Sequence, residues 1–175
     1  MSTPMLYQST RGHGVQLTAG QAIAQGLAPD GGLYVPVAMP TFELSAFDGA
    51  NTLPEVAERF LKPFFAGCEL AARVPEICAD AFNFPVEVLN LPPRDGGRQF
   101  LLELFHGPTA AFKDFGARFL AACMERLPHA ADRRTTILVA TSGDTGGAVA
   151  AAFHGRPWVR VVVLFPKGLV SPRQE

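Results

Sequence analysis

The sequence predicts an α/β protein: an amino-terminal helical layer with a short strand pair, then part of a parallel βαβ domain. Three observations predict it. Two capping-box spacings, Thr18 with Gln21 and Thr52 with Glu55, each precede apolar residues at helical period. Asp95-Gly96-Gly97 separates two strand-like runs, Val86 to Leu91 and Gln99 to Phe105. From Thr136 onward the chain reads strand, glycine-containing loop, helix, strand, and such crossovers are right-handed with parallel strands. The change of rhythm divides the chain into a mostly helical domain, 1–84, and the start of an α/β domain, 85–175.

The elements follow in order. After Thr18, Ala22, Ile23 and Leu27 share one helical face, and Gly26 is a stop. Asp30-Gly31-Gly32 is a turn leading into the extended Leu33-Tyr34-Val35, closed by Pro36. After Thr52, Val56, Ala57, Phe60 and Leu61 form an apolar stripe, ended by Pro63. Phe60, Phe64 and Phe65 read as core. A short helix covers Pro75 to Phe82, with Pro75 in its first turn. The two strand-like runs make a hairpin or a looser pair. Lys113 to Leu127 is a helix with Phe115, Phe119, Ala122 and Cys123 inward. Thr136 to Ala140 and Trp158 to Phe165 are strands, joined through a small-residue helix from Gly146 to Phe153.

Composition excludes several functions. The formal charge is −1, which gives no general attraction to nucleic acid or to an acidic membrane. The strongest apolar run, Val161 to Phe165, is far too short to span a bilayer, and the amino terminus lacks a signal pattern. Cys68, Cys78 and Cys123 make no CxxC pair and no even set, so they read as free thiols in a reducing, cytoplasmic setting. His13, His106, His129 and His154 have no second ligand at zinc spacing, which predicts no metal site.

Two segments carry chemistry. Thr141-Ser142-Gly143-Asp144-Thr145-Gly146-Gly147 lies where a strand ends and a helix begins. Ligands of open α/β sheets bind at such carboxyl ends, and a helix start presents unpaired N–H groups and partial positive charge. With the hydroxyls of Thr141, Ser142 and Thr145, the loop suits a carboxylate or phosphate; a plain helix cap would use the same residues. It is neither a P-loop nor GxGxxG. The second segment runs from His106 to Gly116 and holds Lys113 between Phe112 and Phe115. The other lysines, Lys62 and Lys167, read as solvated. A desolvated Lys113 would keep a free amine for Schiff-base chemistry, whereas an exposed lysine beside Asp114 would have no such role.

Together the two segments resemble the threonine synthase family. Phe105-His106-Gly107-Pro108-Thr109 with Phe112-Lys113-Asp114-Phe115-Gly116 is similar to its lysine segment, and Ala140-Thr141-Ser142-Gly143-Asp144-Thr145-Gly146 to its substrate loop. Tyr7, the stretch from Gln21 to Leu27, Asp30 to Pro36, Val161 to Pro166 and Ser171-Pro172 fit in order, so the resemblance covers nearly the whole chain. Members of that family are much longer, and their later half supplies a second glycine-rich loop for the cofactor phosphate. The chain shows no GNFG-like segment and stops at Glu175, which is expected of an amino-terminal fragment, inactive alone and holding an incomplete cofactor domain.

The resemblance implies a lyase of threonine biosynthesis that uses pyridoxal 5′-phosphate (PLP) to convert O-phospho-L-homoserine and water into L-threonine and phosphate. It implies that Lys113 carries PLP as a Schiff base and shuttles protons, that Asp144 contacts the cofactor ring or the substrate, and that Ser142, Gly143 and Thr145 cradle the substrate carboxylate. His106 either touches the site or holds a turn. An unpaired strand edge and an uncovered apolar face imply self-association. Two alternatives stay open: a threonine-synthase-like phospholyase that releases phosphate without forming threonine, and a non-enzymatic anion-binding α/β domain.

Overall fold

The computed structural model describes residues 3–12, 14–128 and 134–172. His13, His129 and the stretch after Pro172 lie outside the described residues. Two compact units form: Met1–Ala81 with Phe119–Pro128, and Phe82–Arg118 with His129–Glu175.

In the first unit, β1 (Tyr7–Ser9) pairs antiparallel with β2 (Tyr34–Pro36). Between them α1 (Ala19–Gln25) starts on the full Thr18/Gln21 capping box. Helix α2 (Leu53–Leu61) starts on the matching Thr52/Glu55 box, and α3 (Val74–Ala81) follows. A 3-10 turn, Lys62–Phe65, carries Pro63 beyond the end of α2. The core is Leu70, Val74, Ile77 and Cys78 together with Ala121, Ala122 and Cys123, all 0% exposed. The last three belong to α4 (Lys113–Glu125), whose residues from Phe119 onward count in this unit. The Tyr7 hydroxyl donates to the Phe64 carbonyl at 2.9 Å, and burial pushes its pKa up to about 12.

Two readings of the core need correction. Leu27 is 61% exposed, because Gly26 (φ 77°) turns the chain off the short α1 before Leu27 can share its face. Phe60 is 45% exposed, and only Phe65 of its trio is buried. Phe60 stacks on Phe42 at 5.2 Å and lies 5.6 Å from Phe64, an aromatic cluster at the surface rather than beneath it.

In the second unit, β3 (Glu87–Arg94) and β4 (Gly97–Glu103) form an antiparallel hairpin over the Asp95-Gly96 turn. Strand β3 runs past Leu91 through Pro92 and Pro93, with a register shift between Leu91 and Arg94. Proline cannot donate to a ladder, so the pairing skips there. Strand β5 (Thr135–Ala140), α5 (Asp144–Phe153) and β6 (Val159–Leu164) form the parallel βαβ unit, with Thr135 opposite Val159 and Ala140 opposite Leu164. Ala148, Ala152 and Phe153 of α5 are buried with Val159, and Phe153 meets Trp158 edge-on. On β5, side chains alternate between covered and open, and Leu138 on the open side is 66% exposed. Among the described residues no helix is long and apolar enough to cross a membrane.

Candidate functional site

Lys113 is the first residue of α4, and the loop before it is tightly built. The Gly107 carbonyl accepts from the Ala110 N–H at 3.0 Å, closing a turn, and Ala110 takes a positive φ of 55°. The Asp114 side chain is completely buried and faces back into this turn. Its Oδ2 accepts the Thr109 N–H at 2.9 Å and its Oδ1 the Thr109 hydroxyl at 2.8 Å. Gly107 sits against the same carboxylate: a Cβ there would lie 2.5 Å from Asp114 Oδ2, so any side chain would force the turn apart.

The loop after β5 is held by one hydroxyl. Thr141 Oγ1 accepts the N–H groups of Gly143 and Gly146, each at 3.0 Å, and its hydroxyl faces the Gly143 carbonyl at 3.3 Å. Thr141 therefore shapes the loop from within, although the sequence counts it among the groups donating to an anion. Gly143 is the N-cap of α5, with φ 150° and ψ −96°, a conformation for which glycine is suited. Gly146 packs under Thr141: a Cβ there would stand 2.3 Å from Thr141 Cγ2. Buried Gly143 and Gly146 leave Ser142, Asp144 and Thr145 exposed on the outer side of the turn.

That outer side meets the start of α4. Lys113, Thr141, Ser142, Asp144 and Thr145 line one open pocket of about 270 Å³. Gly143 does not line it and takes part through the backbone turn alone. Lys113 is half-buried, with Nζ 4.3 Å from the Phe112 ring centroid, close enough for a cation–π contact. Lys62 and Lys167 are exposed. The pocket gathers an amine, hydroxyls and the positive end of a helix, groups that attract a small anion, with the Asp144 carboxylate beside them.

His106 is drawn elsewhere. Its Nε2 lies 2.6 Å from Glu103 Oε2, so it braces the step from β4 into the loop. With Glu87, these two bring three potential ligand atoms within 4.8 Å of one another. A larger cleft of about 760 Å³ lies in the first unit, lined by residues such as Met5, Leu6, Val37 and Met39. Its lining is mainly apolar and brings no nucleophile and base together, so the smaller polar pocket is the chemical candidate. Asp114 and Thr109 are the residues that sequence reasoning missed. The Gly107-Pro108 turn is the signal for a returning loop, but only the path of the chain shows which side chain meets it.

The comparisons with known proteins concern the chain's sequence and fold. The family model described as threonine synthase N terminus matches residues 6–82. Threonine synthase of Escherichia coli is 43% identical over 98% of this chain, which spans 39% of that protein. The chain corresponds to the amino-terminal portion of threonine synthase. Threonine synthase of Serratia marcescens is 42% identical, again over 98% of this chain and 39% of its own length. The fold agrees as well. The crystal structure of PLP-bound threonine synthase from Brucella melitensis matches 97% of this chain and 37% of its own, with a TM-score of 0.82 at 40% identity. Yeast threonine synthase matches with a TM-score of 0.84 at 31% identity, over 97% of this chain and 37% of its own. The chain thus spans about two fifths of the length of the relatives it matches.

Proposed function

We propose that this chain supplies the reactive lysine and the substrate-carboxylate loop of a threonine synthase reaction, in which O-phospho-L-homoserine and water become L-threonine and phosphate. The observation that carries the reading is that Lys113 and the loop 141–145, far apart in sequence, line one polar pocket. That pocket fits PLP chemically: an amine faces hydroxyls and a helix N-terminus. Lys113 and Asp144 would hold the cofactor, which when bound supplies an electron sink for charge developing on the substrate carbons.

The chain's own residues have definite parts. Ser142 and Thr145 donate hydroxyl hydrogen bonds to the substrate carboxylate, and the first turn of α5 adds its positive end. Gly143 sets the turn that aims them outward. Lys113, with its amine free, accepts the proton from the α carbon, gives that proton up, and as the free amine again takes one from the β carbon. Phosphate leaves the γ carbon, which takes up a proton to become the methyl carbon; water adds its hydroxyl at the β carbon, and a proton returns to the α carbon. Three free thiols suit a reducing cytoplasm as the setting. The open apolar side of β5 and β6, with Leu138 and Leu164 exposed, is a surface through which the chain would associate with itself.

The test joins this chain to the part of the Escherichia coli enzyme that lies beyond the match and measures phosphate release from O-phospho-L-homoserine with PLP. The fusion turns over, and the 175-residue chain alone does not. Lys113→Ala and Lys113→Arg each remove nearly all turnover, since neither alanine nor an always-protonated guanidinium replaces the amine. Ser142→Ala and Thr145→Ala raise KM, each costing about 1–3 kcal/mol of substrate binding. Turnover in Lys113→Ala equal to that of the parent fusion would refute the reading.

A further inference from the structure

We propose that Asp114 is the positioning residue for Lys113: its buried carboxylate ties the 106–112 loop to the first turn of α4 and so holds the lysine at the mouth of the pocket. The inference rests on the reading of Lys113 as the reactive amine and says what fixes that amine in place.

Asp114 is 0% exposed, one of two buried polar residues described. A carboxylate out of water is costly unless its oxygens are satisfied. Here both are, and by a single residue: Oδ2 by the Thr109 N–H and Oδ1 by the Thr109 hydroxyl. The first turn of α4 adds the favourable end of the helix dipole. Gly107 completes the fit, because the carboxylate occupies the space where a Cβ would stand. Consecutive helical residues point about 100° apart, so Asp114 can face inward while its neighbour Lys113 faces the pocket. The backbone of Lys113 then cannot shift without breaking the bonds to Thr109.

An ordinary helix cap would stabilise α4 without altering the lysine. The two roles separate in the chemistry of Lys113. The full 175-residue chain contains three lysines, of which Lys62 and Lys167 are exposed and serve as internal references. The chain is treated with an acetylating N-hydroxysuccinimide ester, and the rate at each lysine is read by peptide mass spectrometry. Amide hydrogen exchange follows Thr109 and, as a fold control, α5.

In the parent, Lys113 acetylates at a rate distinct from Lys62 and Lys167. In Asp114→Ala, Thr109 exchange quickens roughly tenfold or more. The Lys113 rate moves to that of the two references, and α5 exchange stays unchanged. Thr109→Ser keeps both donors and retains the parental values. Should Asp114→Ala lose protection in α5 as well, Thr109→Val decides, since it removes only the hydroxyl bond and is expected to shift the Lys113 rate part of the way. A Lys113 rate unaltered in the variant whose Thr109 amide has opened overturns the inference, as does a parental Lys113 rate equal to the references. Failure of the underlying reading shows separately, as an absence of selective PLP trapping at Lys113 in the parent, and leaves the acetylation result standing.

Discussion

Gly146 and Gly147 stand side by side at the start of α5, yet their environments differ completely. A Cβ on Gly146 would meet Thr141 Cγ2 at 2.3 Å and Val163 Cγ1 at 3.0 Å, whereas one on Gly147 would meet nothing within 4 Å. Thr141 cannot yield, because its hydroxyl holds two backbone N–H groups of the loop. Gly146→Ala is therefore expected to destabilise by about 1–3 kcal/mol, the usual cost of overpacking. It should also disturb the turn that presents Ser142 and Thr145. Gly147→Ala is expected to stabilise α5 by up to about 1 kcal/mol through helix propensity. Urea titration of both variants checks the contrast, and equal effects would show that the loop is not packed as described. The sequence reading named Lys113, Ser142, Gly143, Asp144 and Thr145; the structure brings four of them to one pocket and leaves Gly143 out of its lining. It did not distinguish Thr141, a residue that shapes the loop, from its neighbours that face outward. A hydroxyl's partner depends on where the chain turns, and residue type does not record that.

At the scale of elements, local chemistry was legible wherever the signal and its partner lie within one turn. Both capping boxes form, and so does the parallel βαβ order. Burial was less legible, since Leu27 and Phe60 depend on where a short helix ends and what lies across from it. The α2 cap also makes a pH prediction. Glu55 Oε2 accepts the N–H groups of Asn51 at 2.8 Å and Thr52 at 3.0 Å. These bonds, that of Asn51 first, favour the carboxylate and lower the Glu55 pKa below its ordinary 4.5. A carboxyl whose folded pKa is depressed adds stability above its unfolded pKa and loses it as pH falls through the folded one. The stability gap between the parent chain and Glu55→Ala is thus expected to be full at neutral pH and to close as the solution is acidified below 4.5. Denaturation curves across that range test it, and a gap that widens in acid would contradict the cap.

At the scale of the whole molecule, the first unit closes over two thiols. Cys78 and Cys123 are 0% exposed, and burial pushes their pKa values up to about 11 and about 12. A thiol whose folded pKa is raised costs no stability below its unfolded value of 9.0, and stability falls as pH rises from there toward the folded values. Ellman's reagent at neutral pH is expected to reach Cys68 first, and Cys78 and Cys123 only when the unit opens; three equally fast thiols would contradict this core. In the proposed function the second unit would carry the chemistry, with Lys113 and the 141–145 loop forming a pocket for an aldehyde cofactor and an anionic substrate. The most direct measurement adds PLP to the chain, reduces with borohydride and maps the labelled peptide. Label is expected at Lys113 in preference to Lys62 and Lys167, diminished when Ser142 and Thr145 are both replaced by bulkier side chains that fill the pocket. Label spread evenly over the three lysines, or absent from Lys113, would contradict it.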